Sequence, residues 1–461
     1  MVSSPAKPSR FLDLSSIRRR IAGTVLAPGD DGYDAARAVA LGGMDRHPAV
    51  IIQVSSAADV AQAVALARET GLELAVRGGG HSGAGHSALD GGIVIDTRDL
   101  TDLEIDVERR TAWAGAGLTA LAYTEAAAAH GLATGFGDTG SVGIAGITLG
   151  GGVGYLVRKH GLTIDSLLAA ELVTADGAVH LVDAEREPDL FWAVRGGGGN
   201  LGVVTRLQFC LHPVDEVTGG MLLLPATPAN LAAVVRVLDD APEALSAIIN
   251  VMHCPPLPFV APEVHGQVVI MIGACHAGAA ADGAEALAPL RAVAEPIADR
   301  LRLIAYPELY PPESEGEPPI VVTRTGFIEV FDEAKAARAL DRLASGAGSP
   351  MRLLQLRPLG GAAARVPAEA TAYAHRDQRL MAYLLSIPAA LEDRPDEAAW
   401  LDGLARDLEL AAGAYVNFLG NEGEAGVRQA YPGATWDRLA AIKRRYDPDN
   451  LFRHVQNVPP A

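Results

Sequence analysis

Apolar residues recur along the chain at two spacings, and the alternation between them predicts the elements. The run AVIIQV (Ala49 to Val54) is continuous, apolar and rich in β-branched residues, as a buried strand is. Ser56 then stands three residues before Asp59, a helix-start pattern, and Val60, Ala63, Val64 and Ala67 share one helical face. Gly71 stops that helix and LELAV follows as a strand, which completes a β-α-β unit. GGIVIDT (Gly91 to Thr97), LEIDV and RTAWAGAG read as further strands, and the alanine-rich Leu118 to Gly131 as a helix. Asp176-Gly177 between two apolar runs predicts a hairpin.

Beyond about residue 212 the pattern changes. Strand candidates INVMH, VVIMIG, MRLLQLR and LMAYLL alternate with amphipathic helices such as TPANLAAVVRVLDD and EAKAARALDRLAS. Such a pattern predicts one antiparallel sheet with helices on one face. The acidic, proline-rich Pro311 to Pro319 predicts an exposed loop, and Asp447-Pro448 should stop the helix that begins near Trp436. With 461 residues the chain is long enough for two or three lobes.

Composition narrows the chemistry. Apolar residues make up 49% and charged residues 20%, the balance of a globular chain. The formal net charge of −18 argues against nucleic acid or an anionic membrane as partner. Cys210, Cys254 and Cys275 form no CxxC pair, so free thiols are expected and neither disulfide nor zinc site. The N-terminal MVSSPAKPSRFLDLSSIRRR has basic residues with no apolar segment of signal length after them, and a cytoplasmic protein, monomer or homodimer, is expected.

Glycine is the outlier: 50 residues, concentrated in three runs before residue 210. RGGGHSGAGH (Arg77 to His86) satisfies G-x-G-x-x-G at Gly78, Gly80 and Gly83, but no helix opening follows it. No G-K-[ST] ends any run, and His81 with His86 is too few ligands for a metal, so no metal is expected. Glycine loops let backbone N–H groups approach an anion closely, which favours a large nucleotide cofactor wrapped by all three.

The ordered motifs resemble those of the FAD-linked oxidases of the vanillyl-alcohol-oxidase (para-cresol methylhydroxylase) type, in the berberine-bridge-enzyme-like branch. They are Arg77-Gly78-Gly79-Gly80-His81, Gly143-x-x-Gly146, the run from Leu149 to Gly161, Asp189 to Val204, Tyr415-x-Asn417, Tyr446 to Phe452, and Gln456-Asn457. The resemblance spans almost the whole chain. It implies an α+β fold with a two-subdomain FAD-binding domain over 1–212, a substrate domain with an antiparallel sheet covered by helices over 213–410, and a segment 411–461 that returns to the FAD domain.

It also implies that His81 carries the covalent bond to FAD. Contacts to the cofactor are expected from Arg77, Gly78, Gly79, Gly80, Ser82, His86, Thr139, Gly140, Val142, Gly143, Gly146, Gly151, Gly152, Gly154, Tyr155, Leu156, Gly202, Val204, Tyr415, Asn417 and Asn457. Many relatives add a second bond from a cysteine; Thr139 stands at that position, so no cysteinyl bond is expected.

The implied reaction moves a hydride from a small alcohol, phenol or amine to FAD, with dioxygen reduced to hydrogen peroxide. A nearby base must take the substrate's proton. Relatives place a Glu or Gln on a strand after a P-H-R-like motif; here His375-Arg376 matches and the polar position falls at about Leu384. Tyr415, with Asn417, is therefore the first catalytic candidate and Tyr383 the second. A pocket with few acids suits a bulky aromatic or polyketide-like secondary metabolite better than a sugar. Two alternatives stand beside this reading: a flavin-dependent oxygenase, and a flavin-binding protein without turnover.

Overall fold

The computed structural model describes residues 12–312, 316–345 and 351–461. Met1 to Phe11 of the N-terminal stretch and residues 313–315 of the acidic loop lie outside them. The architecture is α+β, as expected, and built on three principal sheets.

In the first sheet Val50–Gln53 and Leu74–Arg77 flank Ile93–Asp96 in parallel, with Thr24–Leu26 antiparallel at one edge. The helix Ala57–Thr70 makes the parallel crossover. Local chemistry sets its ends: the Ser56 hydroxyl accepts from the Asp59 N–H, and Gly71 closes the last turn in the left-handed region. The Asp59 carboxylate accepts from the backbone N–H groups of Ala22, Gly23 and Ser55, which pins the entry of the first strand onto the helix.

The second sheet is antiparallel, in the order Leu103–Asp106, Thr111–Gly115, Val203–Cys210, Leu167–Val173, Val179–Asp183. Its last two strands form the predicted hairpin around Asp176-Gly177. The helix Ala434–Tyr446 buries Trp436, Leu439, Ala440 and Ile442 in the same core as Tyr123, Phe136 and Phe209. Asp447 ends that helix by accepting from the N–H groups of Leu451 and Phe452.

The third sheet is eight-stranded and antiparallel; Glu216–Pro225, Val268–His276, Leu245–His253, Met351–Pro358, Leu380–Ile387 and Val322–Phe327 lie side by side. One face packs Ile249, Val251, Ile270, Ile272, Leu354, Leu356, Ala382 and Leu384 against helices Pro228–Asp239, Ala280–Arg291, Glu333–Ala344 and Arg394–Asp407. Each buried leucine there contributes about 1.5–3 kcal/mol by leaving water. Strand periodicity then forces Gln355, Arg357, Tyr383 and Leu385 to the opposite face, toward the other two sheets. Among the described residues no helix is long and apolar enough to cross a membrane.

Candidate active site

The opposite face of the third sheet closes one wall of an elongated cavity of roughly 500 Å³. The other walls come from the three glycine runs and from the C-terminal segment. Gly78, Gly79, Gly80, His81, Ser82 and His86 supply the first wall; Thr139, Val142, Gly143 and Gly146 the second; Gly202 and Val204 part of the third. Tyr383, Tyr415 and Asn417 complete the set of predicted residues that converge here.

Glycine is required where two of these loops cross. A Cβ on Gly79 would stand 2.4 Å from the Gly143 nitrogen, inside a contact that real side chains never make. Gly80 turns the chain with a φ of 76°, in the left-handed region, and His81 follows directly at the cavity wall.

Several predicted contacts lie elsewhere. Arg77 alternates to the far side of its strand, where its guanidinium donates to Asp96 at 2.6 Å and to the carbonyls of Ala36 and Ala38; both partners of that ion pair are buried. Gly140 packs beneath Leu121, and Gly154 against the Phe136 carbonyl. Gly151 and Gly152 form the layer behind the wall, with their carbonyls accepting from Ile164 and Thr163. Tyr155 lies under the third sheet at Gly273, and Leu156 is buried with Val217 and Cys275. The Asn457 side chain accepts from Lys443 Nζ at 3.0 Å. None of these eight is among the residues that line the cavity.

Tyr415 is almost wholly buried and lines the cavity. That oxygen accepts from the Gly152 N–H at 2.9 Å and from Asn417 Nδ2 at 2.9 Å; the same amide donates to the Ile147 carbonyl at 3.0 Å. Burial pushes the Tyr415 phenol up, and the two N–H donors oppose it by stabilising the phenolate. Phe418 meets Tyr415 edge to face, with centroids 4.9 Å apart, and stacks on Tyr383 at 4.1 Å. Burial also raises the Tyr383 phenol, against the pull of Arg357. His86, with His454 beside it, is pushed down to about 4 by burial and is therefore neutral near neutral pH.

Leu384, the expected place of the acid or amide base, points into the helix-covered core; Tyr383 and Leu385 are the cavity-facing neighbours. His375 and Arg376 also serve structure, through the Gln429 carbonyl and a two-pronged pair with Asp165. Sequence reasoning missed Asp138, Gln355, Arg357, Phe418, His454 and Gln456, all of which line the cavity. For two of them a signal existed: Gln355 and Arg357 alternate with leucines along their strand, as cavity-facing residues do.

The residues present fit FAD. Its pyrophosphate needs backbone donors and closely approaching chain, which the crossing of Gly79 and Gly143 allows. Among the described lining residues the one carboxylate is Asp138, already paired with Arg357 at 2.8 Å. Among the described lining residues there is no cysteine, and Thr139 is one of them.

Comparison with known proteins agrees with this geometry. The FAD binding domain family matches residues 48–183, and the berberine and berberine-like family matches 414–459. (R)-6-hydroxynicotine oxidase of Paenarthrobacter nicotinovorans is 30% identical over 455 residues, covering 95% of this chain and 97% of that protein. The solved structure of 6-hydroxy-D-nicotine oxidase from Arthrobacter nicotinovorans superposes with a TM-score of 0.85 at 28% identity, over 96% of this chain and 98% of that one. FAD-dependent monooxygenase FUP4 of Fusarium proliferatum (strain ET1) is 38% identical over 196 residues, 42% of this chain and 38% of that protein.

Proposed function

The chain belongs to the FAD-linked oxidoreductases of the berberine-like family, and on that footing we propose that it is an oxidase with FAD bonded to His81, acting on a small apolar alcohol, phenol or amine. The observation that carries this reading is the meeting of His81, on the first glycine turn, with Tyr415 and Asn417, on the C-terminal segment, in one cavity. FAD, when bound, would supply a hydride acceptor for the substrate carbon and a route for the two electrons to dioxygen, released as hydrogen peroxide.

The chain's own residues do the rest. Gly78, Gly79, Gly80, Gly143 and Gly146 hold the cofactor by close backbone approach. His81 anchors it through one bond, because Thr139 offers no second nucleophile. Tyr415 takes the substrate's proton as its phenolate, the form that the Gly152 N–H and Asn417 stabilise by donating to its oxygen, and is left as the neutral phenol. Asn417 is held to the Ile147 carbonyl, which fixes the direction of that donor. Val142, Ile147, Val321, Leu385 and Phe418 give the cavity apolar surface that excludes water and suits an aromatic or polyketide-like substrate.

The test is acid precipitation of the purified protein with its intact mass. Yellow flavin retained on the pellet, with one FAD added to the mass, supports the reading; free flavin in the supernatant refutes the bond. His81→Ala should release the cofactor. A second reading, an oxygenase, is favoured by the likeness to the FUP4 monooxygenase, and labelled dioxygen separates the two because an oxygenase alone places label in the product.

A further inference from the structure

Leu41 lines the cavity yet belongs to none of the glycine runs, the third sheet or the C-terminal segment. It sits in an irregular strap, residues 38–47, that follows the short helix Tyr33–Arg37. Two backbone hydrogen bonds bracket it, one to each wall. The Ala40 N–H donates to the Gly80 carbonyl at 3.3 Å, one residue before His81, and the Gly42 N–H donates to the Pro319 carbonyl at 2.9 Å, two residues before Val321. Val321 leads into Val322–Phe327, the strand at one edge of the third sheet. The strap thus bridges the first glycine turn and that edge. Pro318 and Pro319 are exposed and Leu41 is half-buried, so the bridge lies where the cavity meets the surface.

The backbone of the strap has little room to move. A Cβ on Gly42 would stand 2.1 Å from the Pro318 carbonyl oxygen. One on Gly43, whose φ of 71° lies in the left-handed region, would stand 2.5 Å from Leu391 Cδ2. Further along, Asp45 pairs with Arg37, Arg46 Nη1 donates to Asp90 at 2.7 Å, and the Gly91 N–H donates to the His47 carbonyl at 2.8 Å. With the strap held at both ends, the part that can yield is the Leu41 side chain, by changing rotamer. Gly83 and Thr323 approach each other along the same seam: a Cβ on Gly83 would lie 4.0 Å from Thr323 Oγ1, and both residues line the cavity.

We infer that Leu41 is the gate of this cavity and determines substrate width, so that narrow apolar substrates pass between the glycine turn and the edge strand and wide ones are held back by the leucine side chain. The inference rests on the oxidase reading and adds to it the residue that selects by size. A leucine offers no hydrogen bond to reward one substrate over another, so it discriminates by clash alone. A side-chain gate on a fixed bridge acts on the rate of entry, because a wide molecule waits for the rotamer change and a narrow one does not.

Association kinetics on the holoprotein test this without turnover. The probes are acetophenone, with one ring, and 9-acetylanthracene, with three fused rings. Both are ketones with no hydrogen on the carbon that bears oxygen, hence no hydride to give, and their entry is followed by stopped-flow perturbation of the flavin's visible spectrum. Wild type should admit the three-ring ketone at least about tenfold more slowly than the one-ring ketone. Leu41→Ala should raise the three-ring rate about tenfold and leave the one-ring rate within about twofold, with the flavin spectrum retained. Leu41→Phe should slow the three-ring ketone further. Equal entry of both ketones into wild type, an unchanged ratio in Leu41→Ala, or no entry of either ketone overturns the inference. Failure of every apolar alcohol, phenol or amine to bleach the flavin would instead defeat the oxidase reading, and the ratio of entry rates would still be read.

Discussion

Replacing Tyr415 with phenylalanine separates a structural from a chemical role for its hydroxyl. The substitution keeps the ring in contact with Phe418 and Tyr373 and removes one oxygen. Two donors lose their acceptor. The Gly152 N–H is buried and has no other acceptor among the described residues, so its orphaning costs about 1–3 kcal/mol. Asn417 Nδ2 keeps the Ile147 carbonyl, and its second N–H, still aimed at the vacated position, can bond a water there from the cavity that Asn417 lines, which adds little. A thermal melt should therefore fall by a few degrees, with flavin retained and the visible spectrum preserved. If Tyr415 also takes the substrate's proton, anaerobic flavin reduction should slow by about 10²- to 10⁴-fold. The assay is stopped-flow bleaching of the flavin by excess substrate, with the melt on the same preparation. A rate within threefold of wild type, alongside the expected loss of stability, would refute a catalytic role and leave Tyr415 a packed tyrosine.

Further predictions concern pH, packing and the direction of one strand. Burial holds His86 at about 4 and His160 at about 3, below the ordinary 6.5, so the unfolded chain binds more protons than the folded one between those values and 6.5. Stability should accordingly fall as pH drops from about 6.5 toward 4, by up to about 3 kcal/mol from His86; melts of wild type and His86→Asn across that range check it, and parallel curves would contradict it. Gly79→Ala should cost about 1–3 kcal/mol or more, because its Cβ would meet the Gly143 backbone at 2.4 Å, and flavin content should drop with it. Leu384→Gln should destabilise by about 3 kcal/mol through an unpartnered amide among the helices, whereas Leu385→Gln, facing the cavity, should leave the melt nearly unchanged and alter substrate binding. Thr139→Ala should keep the flavin on the acid pellet, which a spectrum of the pellet shows.

What the sequence by itself determined is local. Ser56, Asp59 and Gly71 bound a helix because capping and left-handed closure act within one turn, and Asp176-Gly177 makes its hairpin for the same reason. The glycines before His81 announced a close backbone approach, and the Gly79–Gly143 crossing shows what is approached. Which side chains share the cavity was decided only by tertiary structure. Asp138 and Arg357 pair across 219 residues, and Gly152 reaches Tyr415 across 263. Strand parity did the sorting: a shift of one position sends Leu384 to the helices and Tyr383 to the cavity, and the same alternation turns Arg77 away to Asp96. Parity is visible in a sequence only when the buried faces are known, and Leu380–Ile387 carries apolar residues on both, since one face meets helices and the other a ligand-sized cavity.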